Sequence, residues 1–242
     1  MCHGQKEEIT QNANYPYGKG GCGQRHWVGD GSNKNSGGTA LKFNSPQKEL
    51  WIRWYMRYEK GFKWNKLHYD KILYIRSRKK NNAAIVEWYG SNGFDIYAQA
   101  AGGRYPCRQC GWLSTMRSMR SDGKWHYYEI HIKMDTNGRD GVSEAWIDRR
   151  KIMSNKNVNF GSVSGWTWFT IGSNQALPDN GRCMYVDFDE IYVSNTGRIG
   201  PVMGDKIYYE NKGVLQNYKR EATKEENNLK TIEPPKRLRI DN

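Results

Sequence analysis

The chain has 242 residues, 37% of them hydrophobic and 13% aromatic, which is enough for one sizeable core. Ten Trp, sixteen Tyr and 26 Gly favour strands and turns, and no apolar run approaches the roughly 20 residues of a membrane-spanning helix. The net charge of +13 suits nucleic acid, anionic lipid or acidic polysaccharide; without a helix-turn-helix pattern or an RNA-binding sheet motif, nucleic acid is disfavoured.

Residues 1–39 are rich in Gly, Asn, Lys and Ser and read as an irregular N-terminal segment. Their run Gly18-Lys-Gly-Gly-Cys-Gly23 is not a phosphate loop, since it lacks the Gly-Lys-Ser/Thr ending and a following helix. Cys2 leaves two readings open, the lipid-modified residue of an exported bacterial lipoprotein or an incidental thiol.

A strand follows at 49–59, with Leu50, Ile52, Trp54, Met56 and Tyr58 on one face and Trp51, Arg53, Tyr55 and Arg57 on the other. Further strands are expected at 70–77, 83–89 and 94–100, and residues 101–121 read as a long excursion. Asp122 to Arg150 has the form of a β-hairpin with a longer Gly/Asn/Asp loop. In its first run His126, Tyr128, Ile130 and Ile132 point one way, and Trp125, Tyr127, Glu129, His131 and Lys133 the other. In its second run the apolar members are Val142, Ala145 and Ile147, while Glu144, Trp146 and Asp148 share a face. Strands at 166–171 and 182–193 complete an all-β sandwich or jelly roll over 40–204. Residues 205–242 read as a charged tail or linker, with a short helix conceivable near 214–230 and a role in self-assembly open to it.

Cysteines stand at 2, 22, 107, 110 and 183. Cys107 and Cys110 form a C-x-x-C pair. Disulfides among Cys22, Cys107, Cys110 and Cys183, as in an exported protein, are favoured over a zinc site that would need Cys22, Cys183 or His26 as further ligands.

Two strand faces interleave aromatic rings with charge. Flat rings suit the apolar faces of sugars, and arginine forks suit carboxylates. The candidate glycan contacts are Trp51, Arg53, Tyr55, Arg57, Glu129, His131, Lys133 and Trp146. The bland alternative is an outward sheet face covered by long side chains. The loop from Asp135 is no EF-hand, because Arg139 sits at a ligand position and Trp146 at position twelve.

Asp122-Gly-Lys-Trp-His126, Asn137-Gly-Arg-Asp-Gly141 leading to Trp146-Ile-Asp148, and Tyr185-Val-Asp-Phe-Asp-Glu-Ile-Tyr-Val-Ser194 followed by Ile199-Gly-Pro201 resemble the concanavalin A-like lectin/glucanase jelly rolls. The match is closest to the jelly-roll polysaccharide lyases of the alginate and glucuronan type and exported proteins built like them, over residues 40–201. The resemblance implies two stacked antiparallel sheets, the concave one forming a glycan groove. It implies no required cofactor, with a structural calcium possible at Asp187. For a lyase it implies β-elimination, with Arg53 or Arg57 neutralising a uronate, His131 as base and Tyr127 or Tyr55 as acid. The paired Tyr and Lys on a late strand have no counterpart at 182–193. The carboxylate pair of laminarinase-type hydrolases is missing from Glu129-Ile-His131-Ile-Lys133 and from Glu144-Ala-Trp146-Ile-Asp148. The expected function is therefore extracellular binding of an acidic polysaccharide, with a lyase as the alternative and a structural or assembly protein as the third class.

Overall fold

The computed structural model describes residues 7–30, 38–62, 69–79, 82–89, 93–106, 119, 121–174 and 179–205. In chain order the strands are β1 (Glu7–Thr10), β2 (Gly23–Asp30), β3 (Thr39–Gln47), β4 (Glu49–Tyr58), β5 (Tyr69–Arg76), β6 (Ala83–Tyr89) and β7 (Gly93–Ala98), then β8 (Gly103–Pro106), β9 (His126–Lys133), β10 (Gly141–Ile147), β11 (Arg150–Val158), β12 (Trp166–Asn174) and β13 (Asp179–Ser194). They form a seven-stranded sheet, β1-β2-β13-β4-β9-β10-β11, and a six-stranded sheet, β3-β12-β5-β6-β7-β8. Every pairing is antiparallel, as the jelly-roll expectation requires. No helix among the described residues is long and apolar enough to cross a membrane.

The core lies between the sheets and follows the alternation of the strands. From the seven-stranded sheet come Leu50, Ile52, Trp54, Met56, Tyr128, Ile130, Ile132, Val186 and Phe188; the other sheet answers with Leu73, Ile75, Val86, Trp88, Phe94, Ile96 and Ile171. At its centre Trp54 stacks on Tyr128 at 5.4 Å, and Trp88 meets Tyr128 edge-on at 6.4 Å, which ties sheet to sheet. Each such large side chain contributes on the order of 2 kcal/mol through burial, so a register slip that turned them outward would be strongly disfavoured.

Several features depart from the sequence expectation, among them the additional strands β3 and β11. The segment 1–39 is not irregular throughout: β1 and β2 extend the seven-stranded sheet beside β13. The alternation is present but short, with Gln24, His26 and Val28 on the face opposite Arg25 and Trp27, and the flanking Gly and Asn residues mask it. Gly23 is required there, since a Cβ would lie 1.9 Å from the Ala13 carbonyl oxygen. Next, the excursion from 101 begins with a strand, β8, paired to β7. Finally, β13 carries a bulge between Asp189 and Tyr192, where Glu190 adopts φ 51°. The extra residue turns Glu190 away from the core side on which Phe188 lies.

A tight turn joins β10 to β11 through Asp148 and Arg149, both with positive φ (46° and 70°). Such turns match the twist of a hairpin but ordinarily use Asn-Gly. Here the Asp148 carboxylate compensates: Oδ1 accepts the Tyr127 amide at 3.0 Å and Oδ2 lies 2.7 Å from His126 Nδ1. The other ring nitrogen lies 3.1 Å from Asp122 Oδ2. Burial opposes a charge on His126, but Asp148 and Asp122 outweigh it and lift the pKa to about 9. A raised histidine pKa adds stability below the unfolded value near 6.5 that is lost as pH rises through about 9. Thermal melts from pH 6.5 to 9.5 should therefore show a decline worth about 2–3 kcal/mol. His126→Gln should flatten it, and an equally steep decline in that variant would refute the assignment.

Candidate functional site

The structure brings the sequence-predicted residues onto one surface, the outer face of the seven-stranded sheet. β4 and β9 are neighbours in a register that places Trp51 opposite His131, Arg53 opposite Glu129 and Tyr55 opposite Tyr127. β10 adds Glu144 opposite His131 and Trp146 opposite Glu129. On the other side of β4, Arg57 faces Asp187.

This face is covered by the chain itself. Residues 198–205 run across it as a strap, so the segment before the expected tail is docked. Glu129 has no exposed surface; it accepts the Ile199 amide at 2.7 Å, the Gly200 amide at 3.3 Å and Arg198 Nε at 3.3 Å, and the Tyr127 hydroxyl donates to it. Arg53 donates to Glu190 Oε2 at 2.9 Å and to the Gly200 carbonyl at 3.3 Å. The Tyr55 hydroxyl donates to Asp205 at 2.8 Å and accepts the Val202 amide at 3.1 Å. From the N-terminal side, Tyr15 stacks on Tyr55 at 3.9 Å while its amide reaches Asp189 at 2.6 Å.

The electrostatics follow from this cover. Burial, and then the neighbouring Glu129, push the Tyr127 phenol well above its ordinary value, with Arg198 opposing. Burial and Asp205 raise Tyr55 likewise. Both phenols stay protonated and spend their protons on carboxylates. The two nitrogens of His131 face Glu144 at 2.9 Å and Glu49 at 2.7 Å while its ring stacks on Trp51 at 4.2 Å. Neither nitrogen is turned to a substrate. Hydrogen bonding from His131, against the effect of burial and with help from Lys151, holds Glu144 down at about 2. Lys133 is exposed, and Trp146 is buried beneath the guanidinium of Arg198 at 4.5 Å.

Asp187, considered for calcium, is instead gripped by two guanidinium groups, Arg25 at 2.7 Å and Arg57 at 3.0 Å. A cation there would have to displace two like charges, so this donor set does not fit one. Cys2, Cys107 and Cys110 lie outside the described residues. Cys22 is exposed and free, which removes it from the expected pairs, whereas Cys183 is disulfide-bonded. Among the described residues no group of three or more His, Cys, Asp or Glu is arranged to hold a metal.

The sequence reading missed two groups on the six-stranded sheet. Glu87 and Asp95 face each other across β6 and β7, and Arg104 Nη1 bridges them, 2.9 Å from Asp95. Burial and then Glu87 raise Asp95 to about 7, with Arg104 opposing. With 1% and 0% exposure these carboxylates form a clamp between strands, and no strand-local spacing announced them.

The second group is open. At one end of this sheet Lys42, Trp168 and Arg76 stand in one cross-strand row of β3, β12 and β5. With Phe43, Ser77, Arg78, Lys79, Asn82 and Thr167 they line a cavity of about 480 Å³. The Arg76 guanidinium packs over Tyr74 at 4.7 Å and Trp168 at 5.3 Å, and its Nε is buried without a hydrogen-bond partner. The four cations of this lining have no acidic partner among the described residues, in contrast to Arg25, Arg53, Arg57, Arg104, Arg182 and Arg198. A turn braced by the Asn82 amide on the Lys79 carbonyl, 3.2 Å, sets Arg78 and Lys79 at the rim.

No family model matches the chain, and no curated protein does. Solved structures do. The alginate lyase vAL-1 from a Chlorella virus aligns with a TM-score of 0.54 at 15% identity, over 78% of this chain and 88% of that one. The endo-β-1,4-glucuronan lyase from the fungus Trichoderma reesei gives 0.54 at 14%, over 78% and 87%. The cellulose-induced protein Cip1 gives 0.53 at 14%, over 81% and 89%. The chain thus has the jelly-roll fold of polysaccharide lyases and lectin-like proteins. At these identities the likeness establishes the fold alone.

Removing Arg53 leaves Glu190 and the Gly200 carbonyl without their donor. Arg53→Ala should cost about 3 kcal/mol, lowering the melting temperature by about 6–12 °C, and Arg53→Met with Glu190→Gln should recover part of that. A melting temperature unchanged in Arg53→Ala would refute the buried pair.

Proposed function

We propose that the protein binds an acidic polysaccharide, and that the basic, aromatic cavity between β3, β5 and β12 is where it does so. The unmatched Lys42, Arg76, Arg78 and Lys79 carry this reading. Four cations held together without acidic partners repel one another, and a polyanion relieves that repulsion. Trp168 supplies flat apolar surface for sugar rings, and the Arg76 guanidinium is held over the Tyr74 and Trp168 rings. Two structures of the same fold are named for alginate and for glucuronan, both polyuronates. An exported or cell-surface setting fits such a ligand and belongs to the same proposal.

The outer face of the seven-stranded sheet is less suited. Its arginines Arg25, Arg53, Arg57 and Arg198 are matched by carboxylates and Tyr15, Tyr55 and Tyr127 are buried, so its centre offers a glycan little unmatched charge or open ring surface. A lyase reading has no comparable support, because a β-elimination needs a base with a free lone pair and the set around His131 presents none.

Affinity electrophoresis through gels containing alginate, polyglucuronate or neutral glucan tests the proposal. Retardation is expected in the acidic gels, fading as salt is raised. Arg76→Ala and Trp168→Ala should each weaken it about tenfold or more, whereas Trp51→Ala should leave it unchanged. Equal retardation in neutral glucan, or loss with Trp51→Ala and not Arg76→Ala, would overturn the assignment. Release of unsaturated, ultraviolet-absorbing uronate products would replace binding by lyase activity.

A further inference from the structure

We infer that the cavity recognises a tetrahedral oxyanion carried on a sugar, a sulfate or phosphate ester, in preference to the planar carboxylate of a bare uronate. This rests on the polysaccharide reading above and narrows its ligand.

The molecule's own ion pairs provide the scale. A fully buried carboxylate, Asp187, is satisfied by two guanidinium groups, Arg25 and Arg57. Glu190 is matched by one arginine, Arg53. The cavity gathers four cations and no acid, more than one carboxylate uses anywhere on the opposite sheet. A carboxylate presents two oxygens in one plane and is well served by one arginine fork. An oxyanion ester presents three terminal oxygens in three directions, and as a phosphate it carries close to two negative charges.

The arrangement of donors matches the second shape. Lys42 comes from β3 and Arg76 from β5, while Arg78 and Lys79 come from the turn after it, so positive charge reaches the cavity from separate backbone segments. Lys42, Arg78 and Lys79 are exposed and can adjust, whereas Arg76 is set by Tyr74 and Trp168. Its Nε is closed off from solvent, which leaves the terminal nitrogens of the fork for a ligand.

The sugar part of the ligand rests on Trp168, whose indole lies in the same lining, while Asn82 braces that lining from within, donating Nδ2 to the Phe160 carbonyl at 2.8 Å.

Isothermal titration of the full chain at moderate salt separates the cases. The probes are a glucan oligosaccharide bearing sulfate esters, the same oligosaccharide bearing phosphate esters, an oligoglucuronate of equal length and net charge, inorganic sulfate, and duplex DNA. One of the two esters should bind about tenfold tighter than the oligoglucuronate, and the better of the two identifies the group. Arg76→Gln should abolish that advantage. Should this variant fold poorly, the exposed pair Lys42→Gln with Lys79→Gln should reduce it with an unchanged melting temperature. Equal binding of the oligoglucuronate would overturn the ester preference while leaving the acidic-glycan reading intact. Inorganic sulfate or DNA binding as tightly as the ester would overturn the saccharide part. Failure of all the oligosaccharides would sink both proposals.

Discussion

A carboxylate in the middle of a sheet, cut off from solvent, has to find its hydrogen-bond donors within the protein. Glu129 is surrounded. Its donors come from Tyr127 two residues along its own strand and from three consecutive residues of the strap, Arg198, Ile199 and Gly200. This one group therefore decides what the seven-stranded sheet can present. Once the strap is fastened to it, Arg53 has the Gly200 carbonyl to donate to, Tyr55 has Val202 and Asp205, and the aromatic face becomes a second, smaller core of Tyr15, Tyr55, Trp125, Tyr127, Trp146 and Val202.

Charge is thus met in two ways. Under the strap, as in the Glu87, Asp95 and Arg104 clamp of the other sheet, arginine and carboxylate are matched, which fixes geometry. Where β3, β12 and β5 meet, like charges gather without acids. The chemistry of side chains is similar on both faces. The difference lies in which residues meet them across the sheet and over it.

Much of the scaffold was legible from alternation alone. The apolar sets of β4 and β9, with Ala145 and Ile147 of β10, fall in the core as read, because a half-buried strand imposes a period of two on its sequence; Val142, expected with them, lies instead opposite Lys133. Arg53, Tyr55, Tyr127 and His131 are brought together by the pairing of β4 with β9, strands far apart in sequence whose neighbourhood the alternation does not give. What the alternation cannot report is the third dimension. The same pattern of rings and charges describes an open trough and a covered one, and the cover comes from residues distant in sequence, Tyr15 and Arg198 to Asp205. Glu190 shows the limit sharply: by parity it belongs to the core, and only the bulge at φ 51° makes it the partner of Arg53. The cavity cations were equally hidden, since Lys42 lies in a strand whose alternation is weak and Arg78 and Lys79 in a turn, where charge is ordinary.

The strap also determines the side from which the chain departs. Asp205 is anchored by Tyr55 and by Arg149 on the outer surface of the seven-stranded sheet, with the whole thickness of the sandwich between it and the row of Lys42, Trp168 and Arg76. The anchor of the strap and the row of cations thus occupy opposite faces, so filling the cavity would leave the fastening of Asp205 untouched.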